Sequence, residues 1–139
     1  MAKFPRRTIL NLQIVPSEGC DYAALIRKIM ALAVHYDCHE HIYFTSECSC
    51  VLKAAAEVAP EVSRCLLGAD VAAAQELGCA RIQVCSCCAG TEIIAAAHEA
   101  GLKVNAVASG EAAKTWLSAG ADCILTGAYL TDTRALGVK

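Results

Sequence analysis

The sequence predicts an α/β domain in which six parallel strands alternate with five helices. Strand-like apolar runs and amphipathic helical segments succeed one another along the chain with a period of about 20 residues. Gly, Pro and capping residues fall at the joints between them. Hydrophobic residues make up 56% of the chain and aromatics only 5%, and the Ala that supplies much of the apolar count suits helices packed closely on a sheet.

Residues 8–15 are rich in Ile, Leu and Val and stop at Pro16, a strand followed by a turn at residues 17–21. From Tyr22 to Tyr36, Leu25, Ile29, Leu32 and Tyr36 recur at spacings of three and four, one face of a helix that Asp21 can cap. The couplet repeats as strand 41–46 with helix 50–59, strand 63–67 with helix 70–77, and strand 81–85 with helix 91–100, where Thr91 is the expected N-cap. Strand 104–108, helix 111–119 and strand 123–126 complete it, giving one domain over residues 1–139. Right-handed crossovers make neighbouring strands parallel. Periodicity alone leaves a doubly wound open sheet and a run of barrel units equally open. With 139 residues, the chain falls short of the ~200–250 that a complete eight-stranded barrel takes.

The net charge of −2 and the scarcity of aromatics speak against a nucleic-acid partner held by backbone electrostatics or base stacking. No uncharged apolar run reaches the ~20 residues of a membrane span. The basic start is not followed by a signal-peptide core or cleavage site, so a soluble cytoplasmic protein is expected. Ten cysteines in 139 residues fall below the ~8–10% that marks a disulfide scaffold. Disulfides are therefore not implied, and most of the cysteines are expected to be small buried apolar residues in a reducing compartment. Cys48 with Cys50, and Cys85 with Cys87, are spaced by two, which on an extended segment points both thiols the same way.

In either α/β arrangement ligands meet the carboxyl ends of the strands. The segments to inspect are therefore 15–19, 46–50, 68–70, 86–90, 109–110 and 127–129. Their acids, Glu18, Glu47 and Asp70, stand isolated, whereas a hard divalent cation wants several converging carboxylate oxygens. Gly68 and Gly110 sit beside helix starts but form no phosphate-binding fingerprint. His35, His39 and His41 lie at the opposite end of the strands, and His98 lies inside a helix away from the strand C-termini. His35 and His39, at i and i+4 beside Cys38, allow a metal clip, but helix C-terminal cations are the expected reading.

The segments Gly78-Cys79-Ala80-Arg81-Ile82-Gln83-Val84, Ala97-His98-Glu99-Ala100-Gly101-Leu102-Lys103-Val104-Asn105 and Gly120-Ala121-Asp122-Cys123-Ile124-Leu125-Thr126 resemble the carboxyl-terminal part of glycerophosphodiester phosphodiesterases. Asn11-Leu12-Gln13-Ile14 is similar to that family's "N-L-E-I-K" strand, and the likeness runs from about Leu10 to Tyr129. The resemblance implies an incomplete TIM-barrel-like fold of the PLC-like phosphodiesterase type, corresponding to barrel strands three to eight. It also implies hydrolysis of glycerophosphodiesters to glycerol 3-phosphate and an alcohol, in lipid metabolism, with two histidines as acid and base and a divalent metal, Mg or Ca, on carboxylates.

The family's first two strands, which carry most of that chemistry, have no counterpart. Within the matched region Gln13 stands where the metal-binding acid would be and Val15 where its lysine would be. Ser86 and Cys87 replace a lysine-proline pair, and Val107 and Ala108 replace aromatic residues at the pocket rim. A neutral amide contributes no formal charge to a phosphodiester transition state, so the expectation is a pseudoenzyme with Gln13, Val15, Ser86 and Val107 as substituted pocket positions. Six strands leave two edges open, so a homo-oligomer or a chain supplying the missing strands is expected. The alternative is a cysteine-rich soft-metal or scaffold module, with Cys48, Cys50, Cys85, Cys87 and Cys88 as a thiol site able to take Zn.

Overall fold

In the computed structural model, which describes residues 8–127, the six strands form one parallel sheet in sequence order, β1 (Leu10–Gln13), β2 (Ile42–Ser46), β3 (Ser63–Leu67), β4 (Arg81–Cys85), β5 (Lys103–Val107) and β6 (Cys123–Leu125). Five α-helices intervene: α1 (Tyr22–His35), α2 (Ser49–Val58), α3 (Val71–Glu76), α4 (Glu92–Glu99) and α5 (Gly110–Ser118). A 3-10 turn, His39–His41, leads into β2 and takes His41 out of the strand predicted for it. Tyr129, expected at the last strand end, lies outside the described residues.

Asp21 caps α1 as expected, its Oδ1 accepting from the Ala24 amide at 3.0 Å. Asp70, predicted as the first helical residue, instead caps α3 by accepting from the Ala73 amide at 2.9 Å. Thr91 does not cap with its side chain: its backbone is already helical and its hydroxyl makes no capping bond. The face predicted for α1 is buried only in part, Leu25 and Ile29 packing against the core. Ile26 and Ala33 are buried while Leu32 and Tyr36 are exposed, because the helix turns its i, i+7 stripe onto β2 and α2. After α3, Gly78 adopts a positive φ of 66°, where a Cβ would stand 2.8 Å from Arg64 Nη2. That guanidinium donates to the Gly78 carbonyl at 2.9 Å, and the positive φ is what calls for glycine here.

Successive strand residues point to opposite faces. One face carries Ile14, Ile42 and Phe44, packed with Ile26, Val51 and Ala55 of α1 and α2. Further along, the same face carries Leu66, Ile82, Val84, Val104 and Ala106, packed with Ile94, Ala97, Ala113 and Trp116 of α4 and α5. None of the described helices packs on the other face. The register aligns Asn11 with Tyr43, Thr45 with Cys65, and Gln83 with Asn105 there. Tyr43, Thr45, Cys65, Gln83 and Asn105 are nevertheless buried.

They are buried because the sheet curls. Asn11 Nδ2 donates to Gln83 Oε1 at 3.0 Å, and Asn105 Nδ2 donates to the Tyr43 hydroxyl at 3.0 Å. Each bond joins strands three places apart, which on a flat sheet would stand about 14 Å from one another. The structure is therefore a half-barrel with helices on its convex face and polar side chains meeting across its concave one. No helix among the described residues is long and apolar enough to cross a membrane.

Candidate functional site

The concave interior holds two groups of polar contacts, one around Asn11 and one around Asn105. Thr45 Oγ1 donates to Asn11 Oδ1 at 2.6 Å, and Arg81 Nη1 donates to Asn105 Oδ1 at 3.3 Å. The Arg81 guanidinium carbon lies 4.7 Å from the Tyr43 ring centroid, a cation–π contact. Burial pushes the Tyr43 phenol up, pushes the Cys65 thiol up to about 12 and raises the Cys123 thiol. These groups remain protonated at neutral pH and offer neither a nucleophile nor an anionic ligand. These contacts were not anticipated, although their signal is in the sequence: Asn11 and Gln13, Tyr43 and Thr45, and Arg81 and Gln83 are polar at period two within apolar strands.

At the carboxyl ends of the strands the expected positions separate. Ser86 and Val107 meet: the Ser86 amide donates to the Val107 carbonyl at 3.0 Å. With Cys85, Ser109 and Leu125 they line a pocket of about 300 Å³. Gln13 and Val15 are exposed at the far edge and do not line it, so the four substituted positions do not form one pocket within the described residues.

The thiol positions divide in the same way. The sulfurs of Cys85, Cys87 and Cys88 lie within 4.8 Å of one another, and neither Cys48 nor Cys50 joins them. Cys48 and Cys50 lie at the start of α2 beyond β2, two strands away. There the amides of Val51 and Cys50 hold the Cys48 thiol below the usual thiol range, although its side chain closes no capping bond. Cys85 and Cys87 are joined as a disulfide, which corrects the expectation of none. Burial is likewise limited. Cys65 and Cys79 are in the core, whereas Cys20, Cys50 and Cys88 are exposed. The turn that brings the three sulfurs together is closed by the Cys88 and Ala89 amides, which donate to the Cys85 carbonyl at 2.9 and 3.1 Å.

The carboxylates do not converge. Among the described residues the three-cysteine cluster is the sole gathering of three or more potential metal-ligating side chains, so the donor set does not fit a hard Mg or Ca ion. The His35, Cys38 and His39 clip does not assemble either. His98 sits at the opposite end of the barrel, its Nε2 2.8 Å from Asp122 Oδ2, which also accepts from the Val104 amide at 2.8 Å. That pair ties α4 to the strand starts and lies remote from the pocket.

This architecture is that of an incomplete TIM-barrel-like α/β fold, open along two edges. Glycerophosphodiester phosphodiesterases are among the solved structures it matches. A protein from Silicibacter pomeroyi assigned as a glycerophosphoryl diester phosphodiesterase superposes with a TM-score of 0.84 at 18% identity, over 92% of this chain and 50% of its own. One from Galdieria sulphuraria assigned as a glycerophosphodiester phosphodiesterase gives 0.81 at 19% identity, over 93% and 57%. An Oleispira antarctica phosphodiesterase, solved with its product sn-glycerol-3-phosphate, gives 0.79 at 19%, over 93% and 55%. The chain thus has the fold of glycerophosphodiester phosphodiesterases and spans about half the length of these solved chains. No family model and no curated protein matches it.

Proposed function

We propose that this chain is a glycerophosphodiester phosphodiesterase-like protein that does not hydrolyse glycerophosphodiesters by itself. The observation that supports this reading is the chemistry of the half-barrel: amides, hydroxyls and a guanidinium meet in the interior, and Gln13, which the resemblance aligns with a metal-binding acid, is exposed and joins no carboxylate cluster among the described residues. Phosphodiester cleavage needs charge on the nonbridging oxygens and a proton for the leaving alcohol, and the residues lining the pocket supply neither an acid nor an imidazole. The test is the purified chain with glycerophosphocholine and Mg2+ or Ca2+. Turnover below ~0.1 s−1 is expected against the ~10 s−1 of an ordinary enzyme, and a higher rate overturns the reading. The outer edges of β1 and β6, which pair with no strand among the described residues, support completion by a second copy or by a chain supplying further strands.

A second reading, a cysteine-rich soft-metal module, is supported by the convergence of three sulfurs beside the pocket.

A further inference from the structure

The strongest unassigned chemistry is the Cys85-Ser86-Cys87-Cys88 turn. We propose that, once reduced, it is a three-thiolate site for a single Cu(I) ion, built by Cys85, Cys87 and Cys88 without Cys48 or Cys50, and closed to metal while the Cys85 to Cys87 disulfide stands. This rests on the soft-metal reading and narrows it to residues, ion and oxidation state.

The geometry supports each part. Cys87 Sγ and Cys88 Sγ are 3.4 Å apart, and all three sulfurs lie within 4.8 Å of one another. Metal–sulfur bonds of ~2.3 Å in a trigonal array set sulfurs about 4 Å apart, the separation to which bonded sulfurs relax when a disulfide opens. Cys87 and Cys88 are exposed, and Cys85 lines the pocket, so an ion has access from solvent. No fourth Cys, His, Asp or Glu ligand atom joins the cluster among the described residues. Soft thiolates take Cu(I) and zinc alike, but zinc completes a shell of four and here would need a water or another donor, whereas Cu(I) is satisfied by the three sulfurs that the described residues supply, which favours Cu(I).

The opening step balances with an external dithiol. Its two electrons and two protons pass to the Cys85 and Cys87 sulfurs, the S–S bond breaks, and the dithiol leaves as its own cyclic disulfide. Binding of the ion then releases the protons of the three thiols.

The experiment is anaerobic titration of the whole chain with Cu(I) against a colorimetric Cu(I) chelator, before and after reduction by a dithiol, with X-ray absorption at the copper edge. One tight Cu(I) per reduced chain in an all-sulfur, three-coordinate shell is expected, with no tight site in the oxidised chain. Cys85→Ser, Cys87→Ser and Cys88→Ser should each weaken it by at least about tenfold, and Cys48→Ser and Cys50→Ser by less than about twofold. Circular dichroism of each variant separates loss of the site from loss of the fold. Equal loss with Cys48→Ser, or tight four-coordinate zinc in competition with Cu(I), overturns this site while leaving a soft-metal module standing. Binding of neither ion to the reduced chain overturns both.

Discussion

The side-chain amide of Asn11 in β1 donates to Gln83 Oε1 in β4 at 3.0 Å, bridging strands separated by two others. With the bond from Asn105 to Tyr43 it holds the sheet in its curl and shuts water from a face that none of the described helices covers. Gln83→Leu leaves the Asn11 amide without this acceptor, and Asn105→Leu leaves the Tyr43 hydroxyl without its donor and Arg81 Nη1 without its acceptor. Each should cost about 1–3 kcal/mol in urea unfolding. The exposed control Lys53→Ala should stay within about 0.5 kcal/mol. Equal stability of all three would show that the curl does not depend on these bonds.

Acid should weaken the fold partly through Asp122. Burial raises its carboxyl, but the bonds from His98 and the Val104 amide outweigh that and hold it below the usual aspartate range. A depressed folded value means the contribution is complete above the unfolded aspartate range and is lost as pH falls through the folded value. The pair is partly exposed, so screening keeps the effect under about 1 kcal/mol. Asp122→Asn should flatten the acid limb of the stability profile and change little at neutral pH; an unchanged acid limb would contradict this.

Thiol reactivity should follow position. Cys65 is fully buried and its thiol is pushed up to about 12. Cys48 is partly exposed and held below the ordinary thiol range by amides at the start of α2. Iodoacetamide at pH 8 should therefore label Cys48 early and Cys65 only on unfolding, as read by peptide mass spectrometry. Matched labelling rates in the native chain would count against the placement of Cys65.

Assembly is the fourth expectation. The outer edges of β1 and β6 are unpaired within the sheet, and Ile9, Val15, Leu32, Val34 and Tyr36 are exposed. Light scattering of the chain at tens of micromolar should report a species larger than one chain. A monodisperse monomer would refute it.

Element type and order were legible because strand runs of period two and helical runs of period near four differ strongly in a chain with glycines at the joints. The helix ends were less so: Asp70 caps and Thr91 does not, since a cap depends on whether that residue's own backbone is extended, which composition does not reveal. The centre of the buried face of α1 was hidden for a related reason. Leu25, Ile29, Leu32 and Tyr36 and the set around Ile26 and Ala33 both have helical spacing, and packing buried Ile26 and Ala33, kept Leu25 and Ile29 at the rim and left Leu32 and Tyr36 exposed.

The amino-acid order alone determined six strands alternating with five helices, the parallel direction of the strands, and the neutral residues at Gln13, Val15, Ser86 and Val107. Tertiary structure decided that the sheet curls, that Ser86 and Val107 share a pocket from which Gln13 and Val15 are absent, and that three cysteines meet while Cys48 and Cys50 stand apart. The reason is distance: local spacing governs hydrogen bonding and exposure within an element, whereas which strand ends come together depends on the curvature of the whole sheet.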